Sequence, residues 1–547
     1  MMSLPCALPK ISCELRANGK QEQFCSQRQH RIFSLLTMLL GVLMVVLFAV
    51  LAYMLYKCHY PEHYRDMQSI PGPSPFPIVG NFLPTDNEGQ TKCFIDLWSS
   101  GSPTKLKTLN KYWVFLSTAD HVEKLLTDTN NISKGFFYTI AHPWLGCHNL
   151  LTSTGAEWHR QRRLLTPSFH FAILNDMAPA MNAHALILLD KFRESVKVAR
   201  GASFDVVRHI TLCTLDLLCE TVMGIHLNSQ HLPEHPYALA LEQHQAAAML
   251  RVSSFVSMIE PLYKLLPRSR TFYESMHVLH KFTRNVIRER LEEAEPRTNE
   301  QTDCSPGIND RGISTGVYDE PKKRPAFLDL LLQLYREGQL SLEEVRQQTD
   351  TFMFEGHDTT MIAISWALYC LGRHQQHQQR CQQEIEEVIG SKTSVDPSDL
   401  ARLKHLECCI KESQRLYATV PQIGRTLTQP LKLDDSCTLP AGVTVSIASF
   451  ALHRDPQQFT DPLHYDPARF SAENTTRQHP FAFVPFSAGP RNCIAQKFAM
   501  MEMKIVLAHI LKSFTITSTQ TADEMKPLFL FINRPMNGVH LIMEPRN

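Results

Sequence analysis

The sequence predicts a mainly α-helical protein with a minor β component, preceded by an N-terminal transmembrane helix. Three observations support this fold class: an uncharged apolar run near the N-terminus, long helical patterns such as 177–200 and 279–293, and short alternating segments over 431–447 around a Pro-Ala-Gly turn. The chain has 547 residues and a net charge of +1, so no global field attracts it to nucleic acid. Its 44% hydrophobic and 20% charged residues are typical of a globular protein.

The apolar run covers residues 32–55, IFSLLTMLLGVLMVVLFAVLAYML, and carries no formal charge. At about 1.5 Å per residue it is long enough to cross a hydrocarbon core of roughly 30 Å. A cleaved signal peptide is the alternative, but its apolar region is usually roughly 7–15 residues long and precedes a small-residue cleavage site. We therefore expect an uncleaved anchor.

The organisation that we predict has four parts. An N-terminal tail, 1–31, precedes the transmembrane anchor, 32–56, and a connector, 57–77, which ends in four prolines within seven residues. Such proline density favours a stiff extended segment. One large domain, 78–547, follows, and the polar stretch 296–325 within it is expected to be a long surface loop.

Charge and cysteine usage disagree about the orientation of the anchor. Four Lys and Arg residues lie between 16 and 31, against two between 57 and 65, which by the positive-inside rule places the N-terminus in the cytosol. The fifteen cysteines are dilute and include no CxxC pair with zinc-like spacing. Isolated thiols of this kind favour a reducing compartment for the large domain.

Residues 485–495, PFSAGPRNCIA, predict a tight loop that presents a cysteine. Gly489 and Pro490 form the turn, and a helical run over 496–511 follows Cys493. The N-terminus of a helix stabilises a thiolate over a thiol, and the thiolate is the form that ligates a metal.

Residues 351–360, TFMFEGHDTT, interrupt a long apolar helical pattern with polar groups. Burying such groups costs several kcal/mol unless they are paired or solvated. Glu355, Asp358 and Thr359 stand at i, i+3 and i+4 and so share one helix face. Gly356 would let a ligand approach the backbone. The alternative is a capping site that splits two helices.

Two further segments place complementary side chains one helical turn apart. Glu412 and Arg415 lie three residues apart, and Trp158 and Arg162 lie four apart. Taken alone, the first pair would be a surface ion pair and the second an ordinary amphipathic helix.

Together these segments resemble the cytochrome P450 superfamily. Phe486, Gly489, Arg491 and Cys493 match its haem-ligand loop, Phe-x-x-Gly-x-Arg-x-Cys-x-Gly, in which Ala495 replaces the last glycine. The resemblance implies the cytochrome P450 fold and haem b (iron protoporphyrin IX) as cofactor. The cofactor-binding residues that it implies are Trp158, Arg162, Glu355, Phe486, Arg491 and Cys493, with Cys493 as the ligand of the iron.

The same resemblance implies roles for the polar segment. Asp358 would relay protons and Thr359 would hold the water network where oxygen binds. The Glu355-Gly-His-Asp-Thr-Thr string is similar to family four, the fatty-acid ω-hydroxylase group, in many members of which this glutamate is esterified to a haem methyl group. Glu412 and Arg415, completed by Arg469, would form the buried network that supports the haem side of the core.

The implied function is a membrane-anchored haem-thiolate monooxygenase that hydroxylates fatty acids at or near the ω-carbon. Since the chain has no flavin or nicotinamide fingerprint, electrons from NADPH would arrive through NADPH–cytochrome P450 reductase, with cytochrome b5 as a further partner. The implied location is the endoplasmic reticulum membrane, single-pass, with the catalytic domain on the cytosolic face; glycan at the sequons of Asn131 or Asn474 would contradict it. Two alternatives are the same fold acting on sterols, terpenoids or xenobiotics, and a non-catalytic haem sensor.

Overall fold

The computed structural model describes residues 35–54, 67, 69–76, 80–108, 111–169, 171–232, 234–252, 257, 259–294 and 326–546. The predicted tail, most of the connector and the surface loop 296–325 lie outside these residues. Within them, Leu35–Met54 is a single unbroken helix long and apolar enough to cross a membrane, and none of it is buried. The predicted N-terminal apolar helix is therefore confirmed.

The rest of the described chain is mainly helical. The predicted helices over 177–200 and 279–293 are confirmed as parts of two longer helices, Phe171–Ala199 and Ser269–Ala294, the first of which ends one residue earlier than predicted. The helices are Asn87–Ser99, Ala119–Thr127, His142–Leu145, Gly155–Leu165, Phe171–Ala199, Val207–Leu218, Pro236–Val252, Glu260–Tyr263, Ser269–Ala294, Phe327–Arg336, Leu342–Arg373, Gln375–Val388, Pro397–Leu400, Lys404–Leu416, Ser449–Leu452, Ala472–Thr475 and Gln496–Ser513.

The β component is small and divided among four sheets. The strands are β1 Thr104–Thr108, β2 Lys111–Leu116, β3 Phe204–Asp205, β4 Ile423–Thr426, β5 Leu431–Lys432, β6 Thr438–Leu439, β7 Thr444–Ile447, β8 Phe514–Ser518, β9 Pro527–Phe529, β10 Asn533–Pro535 and β11 His540–Pro545. The largest sheet has the order β1-β2-β7-β4, with β2 and β7 parallel and Val114 opposite Val445; the other sheets are β3-β11-β8, β9-β10 and β5-β6. The alternating segment 431–447 forms β5, β6 and β7, as its pattern predicts.

The helix Leu342–Arg373, here the central helix, runs through the core for 32 residues. A capping box starts it: the Glu344 N–H donates to the Ser341 hydroxyl at 3.2 Å, and the Ser341 N–H donates to the Glu344 carboxylate at 2.8 Å. The helix continues unbroken through 351–360, so the alternative of a capping site between two helices is wrong. The threonine hydroxyls of this segment donate to carbonyl oxygens one turn earlier, which satisfies them without breaking the helix.

A buried ion-pair network fixes the segment that leads to the cysteine loop. Arg415 donates to both carboxylate oxygens of Glu412, at 2.7 and 2.8 Å, and both side chains are 0% exposed. Arg469 completes the network, with its Nε 3.5 Å from a Glu412 oxygen. Arg415 also donates to the carbonyl oxygens of His453 and Pro462, at 3.0 and 2.7 Å. The predicted three-residue network is confirmed, and it is internal rather than a surface pair.

Candidate active site

The cysteine loop is held in one conformation by its backbone. The Cys493 N–H donates to the Phe486 carbonyl oxygen at 2.9 Å. Gly489 has φ +69°, and a Cβ at this position would lie 1.9 Å from the carbonyl oxygen of Leu126. No side chain fits there, so glycine is required on both conformational and steric grounds. The helix Gln496–Ser513 begins directly after the loop, as the sequence predicts.

Cys493 faces an internal cavity of about 310 Å³ that separates it from the central helix. Its thiol has accessible surface only because this cavity lies next to it, deep within the domain. Of the eight residues that the sequence assigns to the site, seven line the cavity: Trp158, Arg162, Glu355, Thr359, Phe486, Arg491 and Cys493. The fold thus brings together residues that are up to 335 positions apart along the chain.

Asp358 is the exception. Its carboxylate is buried and ion-paired with the Arg534 guanidinium, and its other oxygen accepts a hydrogen bond from the Gln245 amide at 2.7 Å. It is not among the residues that line the cavity. A proton-relay role for Asp358 stays a prediction, and it would require the carboxylate to leave Arg534.

Gly356 serves packing between helices. A Cβ on Gly356 would lie 2.4 Å from Cδ1 of Leu218, which belongs to the helix Val207–Leu218. The missing side chain therefore makes room for Leu218. Gly356 also lines the cavity, which agrees with the expectation that its backbone is open to a ligand; the contact with Leu218 could not be predicted from sequence position.

Two arginines are positioned at one end of the cavity by backbone carbonyls. Arg491 donates to the carbonyl oxygens of Ser153 and Leu151, at 2.8 and 2.9 Å, and its guanidinium lies 4.7 Å from the Trp158 ring centroid. Arg162 donates to both the backbone and side-chain oxygens of Asn492, at 2.8 and 2.9 Å. Neither arginine has a carboxylate among these partners, so their positive charges are not neutralised by them.

Sequence reasoning missed two further cations, Lys134 and Arg425, which a backbone bridge between their residues brings together. Burial, then the charges of Arg491 and Arg425, hold the pKa of Lys134 well below its usual range. Burial and Arg425 likewise lower the pKa of Arg491 to about 9. No motif marks Lys134 or Arg425, because the two lie on separate segments that meet only in the fold.

These residues fit haem. Buried cations that lie close together repel one another and are poorly solvated, so their charged forms are destabilised. A bound ligand with two carboxylates would offset this electrostatic cost. The same cavity has largely apolar walls and a single thiol facing its interior. A flat apolar ligand that carries two carboxylates and a metal at its centre matches this combination of donors.

The protonation of Cys493 and Glu355 is governed by burial. Burial raises the pKa of the free Cys493 thiol to about 11, against the opposing effects of the Ala495 N–H and Arg162. The Ala495 N–H at the helix N-terminus stabilises the thiolate, as the sequence predicts, but burial outweighs this effect, so a metal that binds Cys493 would displace the thiol proton. Burial also raises the pKa of Glu355 to about 7, although Lys134 and Arg491 oppose it.

A thiol that faces a cavity suited to a flat ligand with a central metal and two carboxylates is the defining feature of the haem-thiolate proteins. Comparison with known proteins agrees: the family model Cytochrome P450 matches residues 70–541. The chain is 37% identical to Cytochrome P450 4V2 of Homo sapiens, over 89% of this chain and 92% of that protein, and 38% identical to the Rattus norvegicus protein of that name, with the same coverage. It is 36% identical to Cytochrome P450 4c3 of Drosophila melanogaster, over 88% and 90%.

The chain belongs to the cytochrome P450 family, and within it the relatives confirm the predicted resemblance to family four. It is therefore a haem-dependent monooxygenase, and the predicted fold class is confirmed. Members of this family act on small molecules and take electrons from redox partners.

The residues around the cavity have distinct tasks. When bound, haem would supply the activation of dioxygen, which thiolate ligation favours by promoting O–O cleavage. Cys493 would ligate the iron, and Arg162, Arg491 and Lys134 would hold the carboxylates. Thr359 lines the cavity from the central helix, and its hydroxyl donates to the Glu355 carbonyl oxygen at 2.7 Å. That bond orients the hydroxyl oxygen as an acceptor for a water in the cavity.

Proposed function

We propose that this monooxygenase hydroxylates fatty acids at or near the ω-carbon, using electrons from NADPH delivered by NADPH–cytochrome P450 reductase and cytochrome b5. The observation that carries the proposal is Glu355, which the central helix directs into the cavity that Cys493 lines. The relatives with family-four names support the same assignment.

The rest of the cavity suits a hydrocarbon chain. Transfer of each methylene from water into such a site is favourable by about 0.8 kcal/mol. A terminal C–H bond is stronger than an internal one, so attack at the chain end requires walls that keep the inner carbons away from the reacting centre. The apolar residues that line the cavity include Trp113, Met249, Val252, Phe354, Leu530, Phe531 and Ile532.

We further propose that the cofactor is haem b and that Glu355 is esterified to one of its methyl groups. The ester C–O bond replaces one methyl C–H bond, and O2 with NADPH, the co-substrates of the proposed reaction, is the oxidant: O2 takes up the two hydrogens lost and the reducing equivalents of NADPH, and leaves as two waters. A covalent bond from the central helix would hold the haem rigidly and sharpen selectivity for the chain end. In acidified organic solvent, haem should stay with the wild-type polypeptide and leave the Glu355→Gln and Glu355→Ala variants. Asp350→Asn is the matched control, since Asp350 is a buried carboxyl of the same helix that does not line the cavity.

The decisive experiment uses the purified full-length enzyme with the reductase, NADPH and fatty acids of graded chain length. A reduced carbon-monoxide spectrum first verifies thiolate-ligated haem, and mass spectrometry then identifies the products. Terminal hydroxy acids support the proposal. Intact haem with no fatty-acid product would overturn it in favour of a sterol, terpenoid or xenobiotic substrate, and NADPH use that no substrate stimulates would favour a sensor.

We also propose that the protein is a single-pass protein of the endoplasmic reticulum membrane, with the catalytic domain on the cytosolic face. The apolar helix Leu35–Met54 and the lack of disulfides among the described cysteines support this. Only one of the two sequons is a useful reporter. Asn131 is buried and its amide oxygen accepts the Thr428 N–H at 2.8 Å, whereas Asn474 is exposed. Endoglycosidase sensitivity at Asn474 would overturn the proposed topology.

A further inference from the structure

Three metal-ligating side chains meet in the core away from the haem cavity. Cys381 belongs to the helix Gln375–Val388, and His405 and Cys409 lie one turn apart on the helix Lys404–Leu416. The two Sγ atoms are 3.6 Å apart, and Cys409 Sγ is 3.7 Å from His405 Nε2. All three donor atoms lie within 4.8 Å of one another, and both cysteines are fully buried.

These separations are those of ligands around one zinc ion. With Zn–S bonds of about 2.3 Å and Zn–N bonds of about 2.0 Å at tetrahedral angles, two sulfurs stand about 3.8 Å apart and a sulfur and a nitrogen about 3.5 Å apart. The Cys381–Cys409 and Cys409–His405 distances fall close to these values, and the Cys381 sulfur and the His405 nitrogen lie within 4.8 Å of each other. A metal would therefore need only small side-chain movements to bind.

We propose that Cys381, His405 and Cys409 bind a zinc ion that is separate from the haem iron. Thiolate and imidazole ligands select zinc over hard cations such as magnesium and calcium. Binding replaces the two thiol protons, so the two thiolates balance the charge of the ion and the imidazole is neutral. None of the three residues lines the haem cavity.

The surroundings hold the ligand-bearing helix in place. The carboxylate of Glu384 accepts the backbone N–H groups of His405 and Leu406, at 2.7 and 2.9 Å, which fixes the start of the ligand-bearing helix. The His377 ring stacks on His405 with centroids 5.6 Å apart, and its Nδ1 is buried without a hydrogen-bond partner. The described residues supply three ligands, so a water molecule would complete the tetrahedron.

The ion would join two helices that support the catalytic core. Cys409 lies three residues before Glu412, on the same helix as the buried Glu412–Arg415 pair. A zinc ion shared with Cys381 would cross-link this helix to its neighbour. Its expected effect is on stability, because it touches neither the cavity nor the cysteine loop.

The test uses the full-length holoenzyme, produced with zinc in the medium and dialysed against a weak chelator. We expect about one zinc per haem iron by elemental mass spectrometry. Zinc-edge X-ray absorption should show two sulfur ligands at about 2.3 Å with histidine nitrogen at about 2.0 Å. Cys381→Ser and Cys409→Ser should each lower the zinc content at least about tenfold, as loss of a ligand requires.

Cys408→Ser is the matched control, because the neighbouring Cys408 Sγ donates to the Phe470 carbonyl oxygen at 3.2 Å and lies outside the cluster. It should keep the zinc. Only variants with a normal reduced carbon-monoxide spectrum are compared, and His405→Gln replaces any serine variant that fails to fold. Wild-type zinc no higher than in Cys381→Ser, a different metal, or a zinc spectrum without sulfur ligands would overturn the proposal.

Discussion

Gly489→Ala tests the steric argument for the cysteine loop. A non-glycine residue at φ +69° costs about 1–2 kcal/mol. The new Cβ would also lie 1.9 Å from the Leu126 carbonyl oxygen, although real Cβ contacts stay above 3.0 Å. The loop must therefore move by about 1 Å, and overpacking of this kind costs a further 1–3 kcal/mol or so.

Together the two costs destabilise the native loop by about 2–5 kcal/mol. About 1.4 kcal/mol corresponds to a tenfold change in an equilibrium constant. We therefore expect the fraction of Gly489→Ala that carries thiolate-ligated haem to fall at least about tenfold. The assay is the reduced carbon-monoxide spectrum per mole of purified protein, with thermal unfolding measured in parallel.

Gly338→Ala separates steric overlap from backbone strain. Gly338 has nearly the same backbone angle, φ +71°, but a Cβ there would meet no atom within 4 Å. This variant should lose about 1–2 kcal/mol of stability and keep its haem. If Gly489→Ala retained the full spectrum and matched Gly338→Ala in stability, the steric reasoning would be refuted.

Three further predictions follow from the buried charges. Glu412→Gln leaves its arginine partner buried without a counter-charge, so it should lower the free energy of unfolding in urea by about 3–5 kcal/mol. Glu157→Gln, in a part-exposed ion pair, should lower it by less than about 1 kcal/mol. Equal losses of stability in the two variants would contradict this reasoning. Burial lowers the pKa of His453 to about 3, and its Nε2 accepts the Val484 N–H at 3.0 Å. Between about pH 6.5 and pH 3 the unfolded chain therefore binds more protons than the folded one. The free energy of unfolding should decrease as the pH is lowered through this window, by up to about 1.4 kcal/mol per pH unit from this residue. His453→Asn should show a shallower decrease, and an unchanged slope would count against the reasoning. Lys134→Met should weaken haem retention during dialysis against apomyoglobin without lowering apoprotein stability, and unaltered retention would remove Lys134 from the haem site.

The parts of the site that could be predicted from sequence are contiguous in the chain. The cysteine loop places Gly489, Arg491 and Cys493 within five residues, and its geometry follows from turn chemistry and the helix after it. Glu412 and Arg415 are one helical turn apart, so helix periodicity alone puts them side by side. The sequence also predicts the polar residues of the central helix, but it does not show which face of the helix contacts the cavity and which face contacts a neighbouring helix.

The rest depended on contacts between distant segments. The neighbours of Asp358 in the chain predict a role in the site, yet its partner Arg534 lies 176 residues away. The cations Lys134 and Arg425 carry no local signal, and they meet beside the haem cavity only because a backbone bridge joins their segments. The same holds for Cys381, which lies 28 residues from Cys409 and so forms no closely spaced cysteine motif with it.

By itself the sequence determined the apolar N-terminal helix, the mainly helical class, the family and the cysteine that would ligate haem, because each depends on local periodicity or on one short motif. Only the tertiary structure decided which polar groups enter the cavity, that Gly356 makes room for Leu218, and that Cys381 approaches Cys409. The physical reason is that turns and helix faces are set by neighbouring residues, whereas the electrostatics of a buried site are set by side chains that packing alone brings together.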